Sequence, residues 1–123
     1  MKTSIFISLL SLCLFSLSTA APPVPFSGKL AVDGKNFHGN ARFSFSIVDG
    51  QGDEHWRHSQ EQGSMIDNVV LNGRYLVLLG GQGMKALPPR LFLDHDQLFL
   101  RVQVDLQDGQ GIRLLEPDQR ITS

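Results

Sequence analysis

Apolar and polar residues alternate along much of this chain, which is the pattern of β-strands with one buried face. In residues 98–106, five aliphatic side chains occupy every second position, with polar side chains between them. Residues 41–48 repeat the pattern, with Phe43, Phe45 and Ile47 on one face. We therefore expect both segments to be strands whose apolar faces form the core.

A hairpin is predicted where two β-prone apolar runs flank the pair Asn72-Gly73. Asn-Gly favours a two-residue turn because both central positions need a positive φ. This turn would place Val70 opposite Tyr75 and Val69 opposite Leu76. Both faces of the hairpin would then be apolar, as expected for a hairpin at the centre of a sandwich.

The remaining segments complete an all-β pattern. Residues 26–32 and 112–115 read as strands, and residues 54–59 as a shorter strand with Trp56 as its buried anchor. Residues 85–94, which contain two consecutive prolines, predict an irregular crossover with one helical turn at residues 90–92. Turn signals about every ten residues predict an antiparallel β-sandwich of about seven strands in a single domain, residues 21–123.

The first twenty residues have the features of a secretory signal peptide. Lys2 precedes an apolar run from Ile5 to Leu17, and Ser18-Thr19-Ala20 places small residues at the cleavage position. The run is too short for a transmembrane helix. We expect export and a mature chain beginning near Ala21, with no membrane span after cleavage.

Composition excludes several kinds of site from the mature domain. The single cysteine, Cys13, lies in the leader, so neither a disulfide nor a thiolate metal site is expected. Without Lys2, ten basic and twelve acidic residues remain, a net charge of −2. These charges are scattered, which argues against binding to nucleic acid or to a membrane surface.

Three groups of residues carry metal-ligand chemistry, and each is better interpreted as structural. His55 and His58 would point to opposite faces of a strand, because side chains alternate along it. Asp94-His95-Asp96 is a compact polar cluster before a strand, but a fuller ligand set is missing. Asp49, Asp53 and Glu54 flank glycines, which is the composition of a turn. We predict no metal and no cofactor.

No catalytic constellation is evident in the sequence. No serine lies in a Gly-x-Ser-x-Gly elbow, and Gly80-Gly81-Gln82-Gly83 lacks the Lys-Ser/Thr of a phosphate loop. We therefore expect a non-enzymatic structural or interaction module. A carbohydrate-binding module, with exposed rings such as Phe37 or Phe99, is one alternative. A small hydrolase that uses Asp94 and Asp96 is another.

The order of several short motifs resembles a bacterial module that follows the signal peptide in many large exported proteins. Members of that family show a phrase like YQGRL, a Phe-rich strand, NGLYSVLLG, an LP…LF crossover, an LRV strand and a closing LSPDQRI. The corresponding segments here are Phe26–Leu30, Phe43–Phe45, Asn72–Gly80, Leu87–Phe92, Leu100–Val102 and Leu115–Ile121.

This resemblance implies an exported β-sandwich with no established biochemical function. It implies localisation in the periplasm, at the cell surface or in the medium. The expected partners are downstream domains of a larger exported protein, or surface proteins and glycans. No catalytic residues are implied.

Overall fold

The computed structural model describes residues 20–122, which form nine strands and one short helix. The predicted signal peptide, apart from Ala20, lies outside the described residues. The elements are β1 (Val24–Lys29), β2 (Ala31–Val32), β3 (Lys35–Asn36), β4 (Gly39–Asp49), β5 (Glu54–Arg57), β6 (Ile66–Val70), β7 (Arg74–Leu79), α1 (Leu91–Asp94), β8 (Leu98–Asp105) and β9 (Ile112–Ile121). This architecture confirms the predicted all-β, antiparallel fold.

The long strand β4 is the centre of a five-stranded antiparallel sheet. Along one side it pairs with β8, which pairs in turn with β9. The other side of β4 is shared, because β6 pairs with its first half and β5 with its second half. The sheet is therefore only four strands wide, although five strands contribute to it.

Two small antiparallel sheets complete the fold. β1 pairs with β7, and the short strands β2 and β3 form a hairpin. The β1–β7 sheet packs against the large sheet, with the ring centroids of Tyr75 and Phe43 4.6 Å apart. Gly28 lies opposite Tyr75 in the β1–β7 register, and a Cβ atom at Gly28 would overlap the tyrosine ring. The missing side chain thus lets the ring pass beneath β1.

The core confirms the alternation predicted from the sequence. Phe43, Phe45 and Ile47 are fully buried, and the five aliphatic side chains at alternate positions from 98 to 106 are all buried. Trp56 is buried, and its Nε1 donates to the carbonyl oxygens of Lys85 and Ala86 at 3.0 and 3.2 Å. The irregular crossover is thereby attached to the core.

The predicted hairpin forms its turn, but its two strands do not stay together. Asn72 and Gly73 have φ values of 50° and 83°, and Leu71 and Arg74 exchange both backbone hydrogen bonds. Beyond this pair, β6 joins the five-stranded sheet and β7 joins β1. The predicted pairing of Val70 with Tyr75 and of Val69 with Leu76 is therefore wrong, because each strand finds a longer partner in a different sheet.

The β1–β7 sheet and the large sheet lie on two sides of one core, which is the arrangement of the predicted sandwich. Around the core, the strand order runs β9, β8, β4 and β6, then across the Asn72-Gly73 turn to β7 and β1. Among residues 20–122, β1 and β9 each have one strand partner, so this order stays open between them. We call this opening the seam.

Two other predicted boundaries differ from the structure. The strand expected at residues 26–32 breaks at Leu30, which is buried beside the turn and donates its N–H to the carbonyl of Gly73 at 2.8 Å. The strand expected at residues 112–115 continues to Ile121 as β9, with a register shift opposite Arg101. There the side chain of Asp118 accepts hydrogen bonds from the Arg101 guanidinium.

Candidate functional site

The outer side of the β6–β7 corner exposes four apolar side chains, which we call the hairpin face. Val69, Leu71, Leu76 and Leu78 are exposed by 50%, 62%, 68% and 50%, respectively. Three of the four, Val69, Leu71 and Leu76, line a shallow depression of about 360 Å³. The prediction that both sides of the hairpin are buried is thus wrong, because nothing in the described residues covers this side.

Two cations border the hairpin face. Lys29 and Arg74 are opposite each other in the β1–β7 register, and both are exposed. The backbone N–H and C=O of Arg74 bond to Leu71, so Lys29 and Arg74 occupy a non-hydrogen-bonded position of the β1–β7 ladder. Facing side chains are closer together at such positions than at hydrogen-bonded ones. Neither cation forms an ion pair with any residue from 20 to 122. Like charges at this spacing repel each other.

The seam contains a groove of about 430 Å³. Its two walls are residues 26–31 of the β1 side and residues 115–119 of β9. Leu100, Val102 and Tyr75 line it from the core. The groove therefore combines an apolar floor with two strand edges that lack partners.

Among the described residues, Tyr75 is the polar residue that lines this groove from the core. The residue is only 4% exposed, and burial raises the pKa of Tyr75 from 10.0 to about 12. Its ring tip lies beneath Gly28, next to the β1 wall. Within residues 20–122, the hydroxyl forms no hydrogen bond, and desolvation by burial is the sole cause of the pKa shift.

One residue from each of the three groups with metal-ligand chemistry meets the others near the end of β4. His55 Nε2 lies 2.8 Å from Asp49 Oδ2, and the His55 and His95 ring centroids are 4.0 Å apart. The hydrogen bond to His55 is the largest factor that lowers the pKa of Asp49, followed by the backbone N–H of Asp53. The sequence did not indicate that these residues would meet.

Two other members of these groups have structural partners. Asp94 accepts a hydrogen bond from Arg90 at 3.1 Å, and Glu54 pairs with Arg57 at 2.9 Å. Nowhere in residues 20–122 do three His, Cys, Asp or Glu side chains form a set that could hold a metal ion.

His58 is separated from His55 and is 3% exposed. Its Nδ1 accepts the backbone N–H of Phe45 at 3.2 Å, at the gap on β4 between its partners β5 and β6. The side chain thus replaces a missing strand partner. Its Nε2 is buried without a hydrogen-bond partner among the described residues. The two histidines therefore contact different residues, His58 the backbone of Phe45 and His55 the side chain of Asp49.

The rings considered for carbohydrate binding are less accessible than that interpretation requires. Phe37 is half-buried and packs against the core cluster, and Phe99 is half-buried on β8. Neither is among the exposed large apolar residues. Sequence reasoning missed both the hairpin face and the Tyr75 hydroxyl. The apolar character of Leu76 and Leu78 was the available signal for the hairpin face. It was instead attributed to burial inside a sandwich.

These features define an all-β domain whose distinctive surfaces are an exposed apolar corner and an open seam. No helix within residues 20–122 is long and apolar enough to cross a bilayer. The chain belongs to a family described as a domain of unknown function, DUF8740, which matches residues 25–118. No curated protein and no solved structure matches the chain.

Proposed function

We propose that this protein is a non-enzymatic interaction module of an exported bacterial protein, and that the hairpin face binds another protein. The observation that carries the proposal is the contiguous exposure of Val69, Leu71 and Leu76, extended along β7 by Leu78. Contiguous apolar patches on small domains mark interaction sites, because leaving them in water is unfavourable.

Charge specifies the partner further. Lys29 and Arg74 repel each other at the border of the hairpin face, and an anionic group between them would relieve that repulsion. The complementary surface therefore presents apolar side chains beside at least one carboxylate. A downstream domain of a larger exported chain, or a neighbouring surface protein, fits this description.

Export is supported by the leader, with its basic start, apolar run and small residues before Ala21. The order of motifs shared with bacterial exported modules supports the same location. Protein isolated from the periplasm, the cell surface or the medium should begin near Ala21, which N-terminal sequencing would detect. An intact Met1 terminus on exported protein would contradict this part of the proposal.

The hairpin face is testable by site-specific photo-cross-linking in cells that export the protein. A photoreactive amino acid replaces Leu76 or, as a matched control, Leu93, which is 75% exposed on α1. We expect position 76 to form a cross-link to another protein and position 93 to form none. The partner's cross-linked peptide should contain apolar residues and a carboxylate. Absence of a cross-link at position 76, or equal cross-linking at both positions, would overturn the proposal.

The two alternatives have less support. A sugar platform needs an exposed ring, and Phe37 and Phe99 are each half-buried. A hydrolase would use carboxylates such as Asp94 and Asp96, but Asp94 is engaged by Arg90. Glycan binding lost in Phe99→Ala would favour the first alternative. Turnover lost in Asp94→Ala or Asp96→Ala would favour the second.

A further inference from the structure

We propose that the seam binds an extended polypeptide segment of a partner protein, which adds as a strand to the free edge of β1. This inference goes beyond the hairpin face, because it concerns the groove between β1 and β9 and a different mode of recognition. Strand addition uses main-chain hydrogen bonds for affinity and side-chain pockets for specificity. Both are present at the seam.

Only alternate residues of β1 form backbone hydrogen bonds with β7, so the other edge of β1 is unpaired within residues 20–122. Leu30 donates its N–H to Gly73, so the even-numbered residues of β1 direct their backbone groups to β7. In an antiparallel ladder the alternate residues point the other way. Ser27 and Lys29 therefore present their N–H and C=O groups to the seam. Pro25 has no N–H, so the edge available for complete pairing begins at Ser27.

The groove offers a place for the side chains of such a strand. Every second side chain of an added strand would turn towards the floor, where Leu100, Val102 and Leu115 supply apolar contacts. Tyr75, a buried residue whose hydroxyl forms no hydrogen bond among residues 20–122, lies at the same wall. A backbone or side-chain oxygen of the added strand would accept the hydroxyl proton. The hydroxyl thus adds a polar contact to an otherwise apolar floor.

Unpaired charges on the two walls set the character of the segment. Lys29 on the β1 wall and Glu116 on the β9 wall line the groove, and neither forms an ion pair within the described residues. The complementary segment carries a carboxylate on its β1 side and a cation on its β9 side. Pro117 lacks an N–H and interrupts the β9 edge, which leaves β1 as the pairing wall.

A proline substitution tests the edge without disturbing the ladder to β7. Ser27→Pro removes an N–H that points to the seam, and proline is tolerated at such edge positions. Ser27→Ala is the matched control, because it changes the side chain and keeps the N–H. Tyr75→Phe removes only the hydroxyl. Thermal melts of all three variants would verify folding.

The probe is a synthetic heptapeptide with alternating valine and threonine, one glutamate and one lysine, added to the full chain and followed by NMR. We expect the amide hydrogens of Ser27 and Lys29 to exchange more slowly when the peptide is bound. Affinity should fall at least about tenfold in Ser27→Pro, stay unchanged in Ser27→Ala and fall about three- to tenfold in Tyr75→Phe.

Several results would overturn the proposal. The first is that millimolar peptide does not change the exchange rates of the Ser27 and Lys29 amide hydrogens in the wild-type chain. This measurement needs no variant. Equal binding by Ser27→Pro and Ser27→Ala is another. A dimer of the free protein that Ser27→Pro dissociates would assign the edge to a second copy instead. Failure of the cross-link at Leu76 would leave the amide exchange, the peptide affinities and the oligomeric state unaffected. This proposal and the hairpin-face proposal can therefore fail separately.

Discussion

At the scale of single residues, Tyr75 connects the core to the surface. Its ring packs on Phe43 and beneath Gly28, and its hydroxyl reaches the seam. Its neighbour Arg74 is exposed and forms no ion pair with residues 20–122. The two neighbouring side chains therefore differ in burial, because side chains alternate between the two faces of a strand.

We expect Tyr75→Ala to reduce the free energy of unfolding by about 3–5 kcal/mol, the usual loss when a buried aromatic is truncated. Arg74→Ala should reduce it by less than about 0.5 kcal/mol, because exposed side chains contribute little. Urea denaturation of both variants and of Tyr75→Phe would measure these differences. A Tyr75→Ala variant as stable as wild type would contradict the burial of the ring.

Ionisation of Tyr75 makes stability depend on pH in the alkaline range. Burial raises the pKa of Tyr75 to about 12, whereas the unfolded chain ionises near 10.0. Between these values the folded state holds the proton more tightly than the unfolded state. The free energy of unfolding therefore has its full value below about pH 10 and decreases by on the order of 2 kcal/mol as the pH rises to about 12.

This titration can be observed directly, because Tyr75 is the only tyrosine in the chain. Phenolate absorbance of the folded protein should have its midpoint near pH 12, and that of the urea-unfolded protein near pH 10. Tyr75→Phe should lack the tyrosine contribution to the alkaline loss of stability. A folded midpoint near pH 10 would show that the hydroxyl is freely hydrated.

At the scale of secondary structure elements, β4 is the strand on which the large sheet depends. It pairs with β8 along one side and with both β5 and β6 along the other. On that second side, Phe45 lies in a gap between the part paired with β6 and the part paired with β5. His58 fills this gap with its backbone and with its ring. Its backbone N–H donates to the Phe45 carbonyl at 3.0 Å, and its Nδ1 accepts the Phe45 N–H.

We expect His58→Leu to destabilise the protein by about 1–3 kcal/mol, because it leaves the Phe45 N–H buried and without a partner. The matched control is His38→Leu. His38 Nδ1 also accepts a backbone N–H, from Asn72 at 3.1 Å, but this site is exposed and water can replace the ring. Denaturant melts should show a much smaller loss for the control. Equal losses would contradict the role of burial.

At the scale of the whole molecule, the interactions that close the fold are long-range. The two halves of the hairpin separate into different sheets, and the first strand, β1, lies across the seam from the last strand, β9. Asp49, His55 and His95 likewise meet only because β4 ends where β5 and β8 begin, at the same edge of the large sheet.

We predict that this cluster does not bind a metal ion tightly. Calcium or zinc in excess should leave the melting temperature unchanged to within about one degree, because a ligand that binds the folded state would raise it. Differential scanning fluorimetry with and without EDTA would measure this. A rise of several degrees that EDTA removes, and that His95→Ala abolishes, would instead place a metal at the cluster.

The sequence by itself determined the local structure of this protein. Period-two alternation identified the buried faces of β4 and β8 and the burial of Trp56 and Tyr75. The Asn72-Gly73 pair identified the turn, and the crossover contained the short helix where it was expected. These features follow from neighbouring residues, whose φ preferences and side-chain directions depend little on the rest of the chain.

Only the tertiary structure decided which strands pair and which apolar faces are covered. Alternation shows that Leu76 and Leu78 share a side, but not whether another layer lies above that side. The divergence of β6 from β7, the exposure of the hairpin face and the opening of the seam all depend on pairings between residues far apart in sequence. Their relative free energies are set by the packing of the whole domain around one core, which no local pattern encodes.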